Sequence, residues 1–168
     1  MIFEKLQENP YAWAILSLCT IISLFLVFWA LIKGKKKLEF SYCSVTRSII
    51  RDGKNLIPGI QLLYQGESID NLAITRYAIW NSGTDVLRYS DIVDSRPLQI
   101  STDDAEILDA IIIKQSDETN EFKVSEKSEK RISLEFDYAN KQDGIVIQVI
   151  HTGDISSFKV DCKIKGGQ

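Results

Sequence analysis

One histidine, His151, and three cysteines, Cys19, Cys43 and Cys162, are the only imidazole and thiol groups in 168 residues. A zinc site needs His and Cys ligands at short paired spacings, and none of the four has such a neighbour. A Cys–His pair would need the fold to carry Cys43 or Cys162 to His151. The acidic groups Asp103, Asp104 and Glu106, and Asp117, Glu118 and Glu121, lack the ordered spacing and glycine of a calcium loop and read as solvated loop charges. No glycine-rich phosphate loop occurs. His151 therefore reads as structural. Cys43 and Cys162 fall in the first and last strand candidates and read as buried, reduced thiols, since free cysteine packs as a small hydrophobe. In an oxidising compartment the same two could pair. The expectation is a non-enzymatic domain with no metal or cofactor.

The chemistry that remains is recognition. The stretch Thr75–Arg96, TRYAIWNSGTDVLRYSDIVDSR, runs a strand ending in Trp80 into an Asn-Ser-Gly turn and returns with Arg88 and Arg96. Tyr77 or Trp80 could supply a stacking face. Arg76, Arg88 and Arg96, with Arg47 and Arg51, carry forked donors that suit phosphate or carboxylate. An aromatic face beside arginine is what a nucleotide ligand needs. The structural alternative is that Trp80 packs the core, the turn reverses the chain and the charges line a solvated edge. Both readings stand at this level.

Charge narrows the class of ligand. The formal net charge of −3 averages over a basic cluster at Lys33, Lys35, Lys36 and Lys37. Residues 38–168 alone carry 15 Lys and Arg against 21 Asp and Glu, a net of −6. Such a domain is poorly suited to long nucleic acid, where affinity comes from neutralising phosphates. A small anion in a local basic pocket remains compatible.

Something must hold these residues, and the chain begins with an anchor. Residues 11–32 run 22 positions without a charge. As a helix they span roughly 33 Å, enough for a hydrocarbon core of about 30 Å. Asn9 and Pro10 suit a helix start, and Gly34 suits its end. Tyr11, Trp13 and Trp29 sit where interfacial aromatics belong. A cleaved signal peptide would have a basic start and a shorter apolar run; here Glu4 and Glu8 flank Lys5 and a KGKKK block follows. The positive-inside rule then puts residues 1–10 outside, 33–37 as a basic linker and 38–165 in the cytoplasm, at an inner or plasma membrane, with 166–168 as a tail. Ala12, Cys19, Ser23 and Ala30 fall within roughly 20° of one line on that helix, a stripe of small residues that suits helix self-association in lipid.

Beyond residue 38 the period becomes two. Ile132, Leu134, Phe136 and Tyr138 alternate with polar residues, and further strands are expected at 38–43, 60–65, 72–80, 107–114, 145–151 and 158–164, with short extended pieces near Val86 and Leu98. Asn81-Ser82-Gly83, Gln142-Asp143-Gly144 and Thr152-Gly153-Asp154 supply turns. Ser101–Glu106 reads as one helical turn, and Asp117–Lys130 as an exposed loop or edge hairpin. Seven to nine short strands at this spacing predict a mainly β domain, an antiparallel β-sandwich or small barrel.

An apolar anchor followed by a small cytoplasmic β domain resembles the plan of bacterial anti-phage effectors governed by cyclic oligonucleotides, as in CBASS, Panoptes and type III CRISPR systems. The Trp80-Asn81-Ser82-Gly83 turn and Arg88–Ile92 are similar to segments of bacterial membrane-anchored proteins. The resemblance implies a sensor or effector that binds a small anionic second messenger and works as a homo-oligomer in the bilayer. The competing expectation is an assembly subunit whose β domain docks a protein partner, including by edge-strand pairing.

Overall fold

A computed structural model of the chain describes residues 10–33, 36–51, 61–153 and 157–166. The 1–10 leader up to Asn9, the Gly34 cap, the expected strand start at Ile60, Asp154 and the last two residues of the tail lie outside the described residues. Two units are present, divided after Lys36.

The first unit is one helix, α1 (Pro10–Lys33). Its 24 residues span about 36 Å, and its 19-residue segment Trp13–Leu31 is long and apolar enough to cross a membrane. Pro10 opens it, where a missing N–H costs nothing. The hydroxyls inside the helix turn back onto it: Ser17 donates to the Trp13 carbonyl at 2.8 Å, Thr20 to Ser17 at 2.8 Å and Ser23 to Thr20 at 2.9 Å. Each polar group is thereby satisfied within its own helix, as an apolar surrounding demands. Cys19, Ser23 and Ala30 of the small-residue stripe are exposed, while the Ala12 side chain lies outside the described residues.

The second unit is a β-sandwich. Its first sheet has the antiparallel order β1-β4-β11-β7, from β1 (Phe40–Ile50), β4 (Leu72–Asn81), β7 (Ile107–Gln115) and β11 (Gly144–His151). The second has the order β12-β6-β9-β8, from β6 (Gln99–Thr102), β8 (Lys123–Lys127), β9 (Arg131–Glu135) and β12 (Phe158–Asp161). Two ribbons complete it: β2 (Leu62–Tyr64) with β3 (Glu67–Ile69), and β5 (Leu87–Arg88) with β10 (Tyr138–Ala139). Alternation decides which residues meet. Tyr77 and Ile79 of β4, with Ile145, Ile147 and Val149 of β11, face Ile100 of β6 and Ile132 and Leu134 of β9 in one core. Leu87 and Ala139 bury the β5–β10 end, and Phe136 stacks on Phe122 at 5.0 Å.

Two local expectations change, and a third narrows to its edge-hairpin alternative. Ser101–Glu106 is not a helical turn: Ser101 pairs with both Lys159 and Arg131, which holds it in β6, and Thr102 Oγ1 accepts from Ala105 N–H at 3.1 Å in a bend instead. Asp117–Lys130 resolves into a 3-10 turn (Glu118–Asn120) and the edge strand β8, because Phe122 is buried and Val124 packs against the core. Cys43 is exposed rather than buried. It shares β1 with Tyr42, and neighbours along a strand point to opposite faces. Tyr42 lines a cleft with Cys162, so Cys43 faces away from it and both thiols are free.

Candidate ligand-binding face

Even-numbered residues of β4 point away from the core, which leaves Ile74, Arg76, Ala78 and Trp80 on the outer face of the first sheet. On the same face β1 contributes Cys43, Val45, Arg47 and Ile49, and β11 contributes Val146, Gln148 and Ile150. No element among the described residues covers it. Val45 is 64% exposed and Ile49 52%. The centre forms a hollow of about 600 Å³ whose walls include Val45, Ile49, Ile74 and Val146, together with both Arg47 and Arg76.

The register fixes how the two arginines stand. Val45 lies opposite Arg76 and Arg47 opposite Ile74, so Arg47 and Arg76 are diagonal neighbours, with Cβ atoms about 7–8 Å apart. Arg76 Nε donates to Gln148 Oε1 at 3.1 Å across the β4–β11 pair, which steadies the side chain and uses one of its three nitrogens. Among the described residues neither arginine forms an ion pair. Two exposed guanidinium groups on neighbouring strand positions repel each other weakly across solvent, and an anion between them offsets that repulsion.

The other sequence-derived candidates lie outside the hollow. Tyr77 faces the core at 2% exposure and is no stacking surface. Its hydroxyl has no hydrogen-bond partner, and burial, followed by the nearby Tyr42, pushes its pKa up to about 12. Trp80 is half-buried at the end of β4 on the outer face, and Arg88 is exposed on β5. Arg96 sits in a separate cleft of about 370 Å³ between β1 and β12, walled by Phe40, Tyr42, Leu98 and Val160. Its fork is already taken by Asp161, with Nη2 at 2.8 and 3.0 Å and Nε at 3.1 Å from the carboxylate. Cys162 lines this cleft, and burial, then Asp161, pushes its thiol up to about 12, against a smaller opposing effect of Arg96. At neutral pH it is a protonated packing group. Arg47 and Arg76 are thus the pair that the fold brings together.

The Asn-Ser-Gly turn is scaffolding. Asn81 is fully buried; its Nδ2 donates to the Asp85 and Ala139 carbonyls, both at 2.8 Å, and its Oδ1 accepts from Gly83 N–H at 2.9 Å. A Cβ on Gly83 would overlap the Lys37 carbonyl oxygen, so the position admits no side chain. Ser82 N–H donates to Glu39 O at 2.9 Å and Thr84 N–H to Lys37 O at 2.8 Å, which closes the turn over the start of the domain. His151 is likewise structural: it is fully buried, accepts from Gly153 N–H at Nδ1 (3.2 Å) and lies 2.7 Å from Thr75 Oγ1 at Nε2.

Comparison with known proteins adds no relative: no family model, curated protein or solved structure matches the chain. Among the described residues, no three His, Cys, Asp or Glu side chains converge as a metal site would require.

Proposed function

We propose that this chain is a membrane-anchored, non-enzymatic sensor or effector module. Its β-sandwich takes a small anionic ligand with an apolar or aromatic body on the outer face of the first sheet. The observation that carries this reading is the diagonal pair Arg47 and Arg76 on an apolar floor, without a carboxylate between them. The hollow has the volume of small-molecule sites, which combine apolar walls with a few placed polar groups. A cyclic nucleotide second messenger has both required parts, phosphate for the guanidinium forks and a base for Val45, Ile74 and Val146. In this reading α1 spans the inner membrane with its lysine-marked end in the cytoplasm and its N-terminus outside. Ligand that joins several domains raises the local concentration of their helices, and Cys19, Ser23 and Ala30 supply the contact stripe.

The test uses full-length protein in lipid nanodiscs. Thermal shifts are recorded against cyclic mono-, di- and oligonucleotides and against linear mononucleotides. A cyclic species should stabilise the domain, and Arg47→Ala or Arg76→Ala should each weaken binding about tenfold or more, the loss expected for one charge-assisted contact of at least ~1.4 kcal/mol. A flat response across the panel overturns the reading. Protease digestion of a C-terminal tag from outside intact cells would overturn the orientation.

One observation favours a second reading, a docking face for a protein partner. Exposed apolar residues continue beyond the hollow to Ile111, 51% exposed, and Ile113, 46% exposed, on β7. A small ligand has no use for that extension. Ile111→Asp should release a copurifying partner if this reading holds, and leave nucleotide shifts unchanged if the first does.

A further inference from the structure

β1 is the outermost strand of the first sheet, and its ladder can be phased. Ser82 N–H donates to Glu39 O, and residues 39 and 82 continue the β1–β4 register in which Ser41 faces Trp80 and Cys43 faces Ala78. Hydrogen-bonded pairs alternate in an antiparallel ladder, so odd-numbered residues of β1 bond to β4. The backbone N–H and C=O groups of Tyr42, Ser44 and Thr46 therefore point to the free edge, and no bond to them is made by any other described strand.

Natural sheets guard such edges with lysines, prolines, short strands or inward charges. β1 is eleven residues long, contains no proline, and has one charged residue, Arg47. Its register shift lies only at its far end, between Ser48 and Ile50. It is an unguarded template for another strand.

We infer that the free edge of β1 pairs antiparallel with β1 of a second copy of this chain, joining two first sheets into one eight-stranded sheet. The strand is complementary to itself. A two-fold axis at its midpoint, Val45, overlaps residues 40–50 completely and sets even-numbered residues opposite even-numbered ones, so the free donors and acceptors meet. That register places Val45 against the second copy's Val45 and Arg47 against its Cys43. The lone charge never faces its own copy. The apolar outer face, which runs to the edge through Val45, becomes continuous across the axis. This inference does not depend on the ligand reading, although helices sharing a membrane would raise the effective concentration for pairing.

The register makes a sharp test. Residues on the axis form a non-hydrogen-bonded pair with Cα atoms about 4.5 Å apart, within the disulfide range. Full-length protein with Cys19→Ser and Cys43→Ser is given Val45→Cys and oxidised in native membranes; the same background with Ile111→Cys, exposed on the strand at the opposite edge of the sheet, is the control. Val45→Cys should yield a disulfide-linked dimer at least about tenfold above the control. Adding Ser44→Pro should abolish it: the Ser44 N–H points to the free edge, so proline removes no bond to β4. Should the proline variant fail to fold, Val45→Lys without cysteines sets like charges on the axis and should leave the protein monomeric by native mass measurement. Equal crosslinking at 45 and 111, or a Val45→Lys protein with unchanged oligomeric state, overturns the pairing.

Discussion

His151 Nε2 lies 2.7 Å from Thr75 Oγ1, and Thr75 Oγ1 lies 2.6 Å from Thr46 Oγ1, a relay that crosses from β11 through β4 to β1. Gly153 N–H donates to Nδ1, so Nε2 carries the proton and gives it to Thr75, whose own proton then goes to Thr46. The imidazole is held by both nitrogens and by Phe158, whose ring centroid is 4.4 Å away. Thr75→Val keeps the shape and removes the acceptor that Thr75 Oγ1 offers the buried imidazole. The expected cost is about 1–3 kcal/mol, read as a lower urea midpoint at unchanged slope.

Tyr77 gives the opposite sign. Its hydroxyl is buried with no partner, so Tyr77→Phe removes an uncompensated polar group and should be neutral or raise stability by up to about 1 kcal/mol. The alkaline limb supplies a second readout. Burial raises the folded pKa to about 12, above the ordinary tyrosine value of 10.0. Stability tied to the neutral phenol is complete below pH 10 and is lost as pH rises toward 12. Tyr77→Phe should flatten that part of the stability profile. Denaturant midpoints between pH 9 and 12 would show it.

Much of this domain was legible because alternation carries the burial signal directly. In β11 Ile145, Ile147 and Val149 face inward and in β4 Tyr77 and Ile79 do, and both strands lie within a residue of their expected bounds. β1 runs past the expected limit at Cys43 to Ile50, because its pattern is inverted there: Ser44 and Thr46 take the inward side, while Val45 and Ile49 point outward. A strand whose solvent face is the greasier one does not announce its orientation. The candidate site was legible in kind and not in arrangement. Arg76 and Tyr77 are consecutive on a strand, so period two alone separates them to opposite faces. The pairing of Arg47 with Arg76 needs the β1–β4 register, which joins residues almost thirty positions apart and leaves no local trace.

Asn81 should be the least replaceable polar residue of the turn. Asn81→Ala breaks three hydrogen bonds at once, two of them buried, and takes the side-chain partner from the Asp85 and Ala139 carbonyls and from the Gly83 N–H. A loss of about 2–4 kcal/mol is expected, since each buried group left unpaired costs on the order of 1–3. The variant should lose thermal stability whether or not ligand is present. A variant that kept its melting temperature and lost only ligand binding would move this turn from scaffolding to recognition.

Asp109 and Lys127 connect β7 to β8 through a 2.7 Å ion pair. The Lys127 hydrogen bond, ahead of an opposing burial effect, lowers the Asp109 pKa below its ordinary carboxylate value, and the Ala110 N–H adds to the lowering. A depressed folded pKa gives stability that is present above the unfolded value and is lost as pH falls through the folded one. Lys127→Ala should therefore reduce stability at pH 7 more than at pH 2.5, with the two profiles converging in acid. The difference at neutral pH should be well under about 1 kcal/mol, because the pair is partly solvated.

The two cysteines of the β domain should separate by reactivity. Cys43 stands exposed on the outer face, while Cys162 is half-buried in the β1–β12 cleft with its pKa pushed up to about 12. The thiolate is the reacting species, so burial and a raised pKa act together against Cys162. With a maleimide at pH 7.5, peptide mass spectrometry should find Cys43 labelled in minutes and Cys162 at least about a hundredfold more slowly. Denaturant should equalise the two. Because Cys43 lines the Arg47–Arg76 hollow, a ligand seated there should also slow its labelling and leave Cys162 unchanged. Protection of Cys162 instead would place the ligand in the flanking cleft beside Arg96.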